Sequence, residues 1–237
     1  MNRRLLLAVI VAIVSIIIIM SFRAIQGDNT LSESERKAGW KLLFDGKTTD
    51  GWRPFKNAEV NSWEIIDGQM HTIKKEGVKH ADLITKSQYK DFELKVDWKV
   101  DKGANSGIIY HSLETHDASY ETGPEYQLID DVGYPDKLED WQKSGADYAM
   151  HPPSTLAAKP AGQYNQTRLV VKGDHIEHWL NGVKVADFHA WTPEWEKLKK
   201  EGKWKDYPDY GTAKTGYIAL QDHGGGVWFK NVKIRKL

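Results

Sequence analysis

From Asp91 to Val100 apolar and charged residues alternate without a slip: Phe92, Leu94, Val96, Trp98 and Val100 on one side, Glu93, Lys95, Asp97 and Lys99 on the other. Successive side chains of a strand point to opposite faces, so this stretch reads as a strand with one dry face and one wet face. A turn-rich break, Asp101-Lys102-Gly103-Ala104-Asn105, leads into a second apolar run, Ile108-Ile109-Tyr110. Two such runs joined by a short Gly-containing connection predict an antiparallel hairpin over 91–111. We place it at the middle of a β-sandwich, with Asn105 and Ser106 entering the second strand and His111 leaving it.

The rest of the chain reads in the same idiom. Trp40 to Phe44 is a short strand, followed by the turn-dense loop Asp45-Gly46-Lys47-Thr48-Thr49-Asp50-Gly51-Trp52. Trp63–Ile66 and Gln69–Ile73 flank Asp67-Gly68, and His175–Leu180 runs through Asn181-Gly182 into Val183-Lys184-Val185. Both dipeptides supply the positive φ angles of primed hairpin turns. Asp82–Thr85, Glu125–Asp130, Gln166–Lys172, Gly216–Gln221 and Val227–Leu237 are further strands. Residues 131–165 carry little periodicity, and a loop of that length in a domain is usually functional. One helix interrupts the strands: Thr192 caps it, Pro193 takes its first position, Glu194 and Glu196 lie in its first turn, and Gly202 ends it. Trp195 and Leu198 share one of its faces. Many short strands, tight turns and one surface helix predict an all-β jelly-roll sandwich over 38–237.

The segment before it is of another kind. Asn2-Arg3-Arg4 precedes an apolar run from Leu5 to Phe22, about 18 residues or roughly 27 Å as a helix, enough to span a bilayer core. Arg3 and Arg4 would stay in the cytoplasm and place the remainder outside. Residues 1–26 read as a signal anchor or a signal peptide, and either exports the domain to the periplasm or cell envelope. Residues 27–37 read as a linker. Positive and negative residues balance at 33 each, which argues against a nucleic-acid binder. With no cysteine there is no disulfide frame, thiolate metal site or cysteine nucleophile. Ten tryptophans and ten tyrosines supply the flat faces on which sugar rings stack, although sandwich cores also use aromatics.

Three groups of residues can carry chemistry. Glu125 and Gln127 lie on one face of a strand, where an acid and an amide can bind sugar hydroxyls or the acid can act as a base; ordinary polar residues on a wet face give the same spacing. Asp130 at the strand end can ligate a hard cation or cap a turn. Asn105, Ser106 and Gly107 stand at a strand entry, Gly107 allowing close approach to the backbone, and His111 titrates near neutrality. Gln221-Asp222-His223 runs into Gly224-Gly225-Gly226, whose amides can bind an oxyanion, with His223 as an acid/base group or metal ligand. There is no P-loop, dinucleotide fingerprint or GxSxG elbow. The paired-carboxylate strand of ordinary jelly-roll glucanases is also missing.

Taken in order, several motifs resemble one family. They are Leu43-Phe44-Asp45-Gly46-Lys47 with Gly51-Trp52, Asn105-Ser106-Gly107-Ile108, Gly123-Pro124-Glu125-Tyr126-Gln127, Leu180-Asn181-Gly182, and the run Gly216 to Gly224. The chain is similar over about 38–237 to the 3-keto-disaccharide hydrolase domain. The resemblance implies a concanavalin-like jelly roll, an exported enzyme and a glycoside oxidised to a ketone at C3, which a glycoside 3-dehydrogenase acting upstream would supply. It also implies a route: loss of the C2 proton, β-elimination of the C1 substituent, and hydration of the enone. Glu125 or His223 is then the base. The Gly224–Gly226 amides, Gln221 or a divalent cation would steady the enolate, and Asn105, His111, Gln127, Gln221 and Asp222 would contact substrate. The alternatives from other classes are a lectin-like carbohydrate-binding module on the same face and a tethered structural domain of the envelope.

Overall fold

The alternating stretch is the centre of the larger of two sheets. The computed structural model describes residues 27–237, so the anchor or signal segment 1–26 lies outside the described residues. Among these, no helix is long and apolar enough to cross a membrane. In chain order the elements are α1 (Glu33–Lys37), β1 (Lys41–Leu42), β2 (Trp52–Pro54), β3 (Trp63–Ile66), β4 (Gln69–Thr72), β5 (Leu83–Thr85), β6 (Phe92–Val100), β7 (Asn105–Ser112), β8 (Glu125–Ile129), β9 (Asn165–Lys172), β10 (His175–Leu180), β11 (Val183–His189), α2 (Pro193–Glu201), β12 (Tyr217–Leu220) and β13 (Val227–Lys236). One antiparallel sheet, A, runs β11-β10-β9-β6-β13-β4-β3 with β1 beside β13. The other, B, runs β2-β5-β12-β7-β8. The fold is an all-β sandwich of two antiparallel sheets with few helices.

The dry side of β6 makes the core. Phe92, Leu94, Val96 and Trp98 are fully buried and share one cluster with Ile108, Tyr110, Tyr126, Leu128, Ile218 and Leu220 of sheet B. On the wet side Glu93 sits between Arg168 and Arg235, at 2.5 Å from each.

The expected hairpin over 91–111 does not form. β6 pairs with β9 and β13, whereas β7 pairs with β12 and β8. The turn after Val100 carries the chain from sheet A across to sheet B, so the apolar faces of β6 and β7 meet through the core instead of lying side by side. Alternation is blind to this difference. Its one trace is that β7 is buried on both faces beyond Asn105, as a strand covered on its outer side must be. The same crossing separates β12 from β13. The two primed turns form as read: Asp67-Gly68 joins β3 to β4 and Asn181-Gly182 joins β10 to β11, all four residues at positive φ.

Two further readings change. Thr192 does cap α2, accepting from the Trp195 amide at 3.2 Å, but Trp195 is buried while Leu198 is exposed, so they do not share a covered face. The stretch read as a linker is fixed to sheet A. Asn29 and Asn231 exchange two backbone-to-side-chain hydrogen bonds of 2.6 and 2.8 Å, Lys230 pairs with Asp28 at 2.7 Å, and Ser32 opens α1 with a capping box. A few of its polar residues have partners on β13, and most of the rest of the stretch is exposed.

Candidate active site

The outer face of sheet B collects residues distant in the chain. Leu220 stands opposite Leu83 and Ile108, and Gly107 opposite Gln127. One step beyond the first register, Asp82, Gln221, Gly107 and Gln127 therefore form a row across four strands. The next row along is Ile84, Ala219, Ile109 and Glu125. Ile84, Ile109 and Ala219 pack with Phe55 into a small apolar floor, separate from the main core and flanked by Tyr120 and Tyr217. Asp82 and Glu125 stand three strand spacings apart and two residues offset along the strands, which separates their backbones by about 16 Å. That is room for a hexose ring once the side chains lean inward.

Gly107 is the reason Glu125 can lie where it does. A Cβ at position 107 would stand 2.2 Å from Glu125 Oε1, so the carboxyl occupies space that any other residue would fill. The carboxyl is 5% exposed, and among the described residues no donor bonds to it. Loss of hydration without replacement hydrogen bonds favours the neutral acid. Burial, with help from nearby Asp82 and Asp147 and against the pull of Lys203, raises Glu125 to about 8. An acid of that strength is a competent base near neutral pH.

Asp82, just before β5, lies diagonally from it, in the neighbouring row. One oxygen accepts from the Asp222 amide at 2.9 Å, the other from the Ser119 hydroxyl, and burial still outweighs both and raises its pKa. The Asp222 carboxylate is covered, holding His80 Nδ1 at 2.8 Å and the Gly224 amide at 3.2 Å. A cleft of about 350 Å³ opens over this group, lined by Asp82, Tyr120, Gln221, Asp222 and His223. A second, of about 210 Å³, is lined by Asn105, His223, Gly224 and Gly225, so His223 is the wall between them. Asn105 Oδ1 and Gln221 Oε1 are both buried without a partner, as amides awaiting a hydroxyl would be.

The short turn after α2, Lys203–Asp206, closes the β8 side. Lys203 Nζ lies 4.3 Å from the ring centroid of Tyr148, 4.9 Å from Trp204 and 6.0 Å from Tyr120. The cage is tied to the site, since the Tyr148 amide donates to the Glu125 carbonyl at 3.0 Å and Trp204 Nε1 donates to the Tyr148 carbonyl at 3.1 Å.

Glu125, Asn105, Gln221, Asp222 and His223 thus come to one face. Three other sequence candidates do not contact it. His111, at positive φ on a bulge, turns its ring onto Phe92 and bonds the Lys90 carbonyl at 2.8 Å; it is 2% exposed and structural. Gln127 is sealed under residues 144–148 and spends its oxygen on the Leu128 amide at 3.0 Å. Asp130 caps a turn, accepting from the Gly103 amide at 2.9 Å and the Val132 amide at 3.2 Å, which holds its carboxyl below the usual range and leaves no cation site. The glycine loop is not a free anion nest either. The Gly224 and Gly226 amides donate to Asp222 and Thr72, and the glycines are required because a Cβ at 225 would meet the Lys74 backbone at 2.6 Å.

Sequence reasoning missed Asp82, His80, Lys203 and the Tyr120–Tyr148–Trp204 cage; the aromatic excess was their one trace. Among the described residues, the three metal-ligating side chains that converge are His175, Glu177 and Asp187, on sheet A, and Lys184 already bonds both carboxylates. Asp82, Gln221 and His223 line the first cleft and Asn105 the second, while Glu125 lies buried on the same sheet face and Lys203 lines a separate hollow with Trp141 and Met150 on the far side of Tyr148. That set suits proton abstraction from a polar, hydroxyl-bearing substrate.

Comparison with known proteins points the same way. Residues 39–235 match the model of the 3-keto-alpha-glucoside-1,2-lyase-like domain. A 3-keto-disaccharide hydrolase of Bacteroides thetaiotaomicron is 33% identical over 228 residues, 84% of this chain and 79% of that one. A candidate glycosyl hydrolase from Parabacteroides distasonis, solved as a crystal structure, superposes with a TM-score of 0.83 at 42% identity, covering 89% of this chain and all (100%) of its own. A second from the same organism gives 0.64 at 28% identity, covering 84% and 99%.

Proposed function

The chain belongs to the 3-keto-alpha-glucoside-1,2-lyase-like domain family, with a glycoside-hydrolase-type function, and from that premise we propose that it cleaves 3-keto-glycosides by elimination and hydration. A ketone at C3 acidifies the hydrogen on C2. Glu125 takes that proton, and the electron pair moves toward the ketone oxygen. As the ketone re-forms, C1–C2 becomes a double bond and the C1–O bond to the leaving group breaks. His223, at the wall between the clefts, protonates the departing oxygen. Water then adds across the enone, hydroxyl to C1 and proton to C2, so the net change is hydrolysis. Asn105 and Gln221 hold sugar hydroxyls, and the charge of Asp82 in the neighbouring row sustains the basicity of Glu125. The reading extends to a concanavalin-like jelly roll carried outside the cytoplasm by residues 1–26, and to an oxidising enzyme upstream that makes the ketone.

One observation carries the reading: a buried carboxyl, without a donor, raised to about 8 on the sheet face that also holds the partnerless amide oxygens of Asn105 and Gln221. Incubation with 3-keto-trehalose, 3-keto-glucosides and the parent glycosides, with and without chelator, tests it. Release of sugar from the keto forms alone is expected. Equal cleavage of the unoxidised parents would count against the elimination route.

A further inference from the structure

Glu125 accounts for the proton, but the electron pair it leaves behind needs a positive partner at the ketone oxygen. Two of the three glycine-loop amides are spent within the protein. We propose that Lys203 is the electrophilic residue, its ammonium bonding the C3 oxygen and stabilising the enolate; this rests on the 3-keto-glycoside reading above.

Three features of the site support it. The cage positions the ammonium by rings at 4.3, 4.9 and 6.0 Å but gives it no acceptor. Among the described residues Lys203 makes no hydrogen bond and no ion pair within 4.0 Å; the residue is exposed, so its N–H groups face solvent, where a ligand can reach them. Second, one wall of that cage, Tyr148, is the residue bonded to the Glu125 backbone, and another, Tyr120, lines the cleft beside Asp82. The cation is thereby held to the base's own strand edge.

Third, Glu125 and Lys203 attract one another without touching. Each shifts the other's proton affinity, yet no ion pair forms between them. Deprotonation at C2 with charge capture at O3 is served by two groups that are near one another but not neutralised as a pair. A carboxylate that approaches the C2 hydrogen from one face of the ring and an ammonium that approaches O3 at its rim can act together without pairing with each other. Burial lowers Lys203 from an ordinary lysine, and the Glu125 charge opposes that shift. In the reaction the C2–H bond breaks and its proton goes to Glu125. The pair forms C2=C3, and the carbonyl pair moves to O3 under the ammonium. On collapse C3=O returns and C1–O breaks. Lys203 begins and ends protonated, and nothing is oxidised or reduced.

The test uses the full chain with a 3-keto-glucoside, following C2 hydrogen–deuterium exchange by NMR alongside cleavage. Lys203→Met should slow exchange and cleavage together by about 10²–10³-fold, with KM within a few-fold. Lys203→Arg should retain more activity, and added ethylamine should restore part of the Lys203→Met rate. Melting curves confirm that the variants fold. If Lys203→Met keeps wild-type exchange while Glu125→Gln loses it, the assignment of Lys203 fails and the 3-keto reading stands. If the wild type neither exchanges C2 nor cleaves, the reading itself fails. A borohydride-trapped sugar adduct on Lys203 overturns the proposal in favour of an imine.

Discussion

Gly107→Ala isolates the placement of the base from its identity. The new methyl would stand 2.2 Å from Glu125 Oε1 and 2.8 Å from its Cγ and Cδ, about 1.2 Å short of the 3.4 Å where ordinary contact begins. The strand is fixed by its pairing with β8 and β12, so the carboxyl must move by about an ångström. A side chain of that length can move, and alanine relieves the entropy cost of glycine in a strand by roughly 0.5–1 kcal/mol. The melting temperature should therefore shift by only a few degrees. Misplacing a reacting group by about 1 Å costs on the order of 10²-fold, which is the expected loss in kcat/KM on a 3-keto-glucoside. A displaced carboxyl also meets more water, so its pKa falls and the activity profile moves to lower pH. Glu125→Asp, one methylene shorter, should cost less in the Gly107→Ala background than alone, because the two changes share one contact. Kinetics from pH 5 to 9 with parallel melts measure all of this. An alanine variant with unchanged kcat/KM and profile would show that the carboxyl does not act from where it lies.

Glu125→Gln should abolish C2 exchange, and the wild-type rate should rise with pH toward about 8, as the base ionises. The same substitution makes a stability prediction of definite sign. Because burial raises Glu125 from 4.5 to about 8, the folded state favours the protonated acid; stability present below about pH 4.5 is lost as the pH climbs to 8. The Gln variant escapes that loss, so its melting temperature should match wild type at low pH and exceed it by several degrees at pH 8, and a gap independent of pH would contradict the burial argument. His111→Ala should leave kcat/KM within about twofold while lowering stability by roughly 2 kcal/mol through the lost packing on Phe92, read by urea denaturation; a large kinetic loss would return His111 to the site.

What could be read from the chain was whatever depends on neighbours in sequence. The alternation of β6, the Asp67-Gly68 and Asn181-Gly182 turns and the Thr192 cap are local events, and all of them appear. Which sheet a strand joins is decided by faces meeting through the core, so the β6–β7 connection was misread as a hairpin. The site divides along the same line. Glu125 stood out because it sits on a strand whose alternation assigns a face, Asn105 because it enters a strand from a turn, and Gln221 because it leads into the triple glycine. Gly107 was recognised as permitting close approach, and the approaching group proves to be Glu125. Asp82 precedes a three-residue strand too short to show a period, and Lys203 belongs to a lysine-rich turn whose composition reads as solvated surface. Neither gives a local sign of its surroundings. His111 was misassigned for a related reason: a bulge at positive φ reverses the face that counting predicts.

Asp82 and Glu125 invite the other familiar use of two acids across a sugar, direct displacement at the anomeric carbon. That chemistry needs one carboxylate ionised as nucleophile or base while its partner stays protonated, so the two environments must push their pKa values apart. Here burial pushes both upward. Asp82 is further engaged on each oxygen, by the Ser119 hydroxyl and the Asp222 amide, which fixes its orientation within the sheet face. A carbohydrate-binding module would face the opposite difficulty: it would be carrying a buried acid with no donor, at a cost to its stability, with nothing gained from a tuned proton affinity. Elimination next to a ketone uses a base, a group that takes up charge at the oxygen, and hydroxyl contacts, roles assigned above to Glu125 on sheet B, to Lys203 on the turn after α2, and to Asn105 and Gln221.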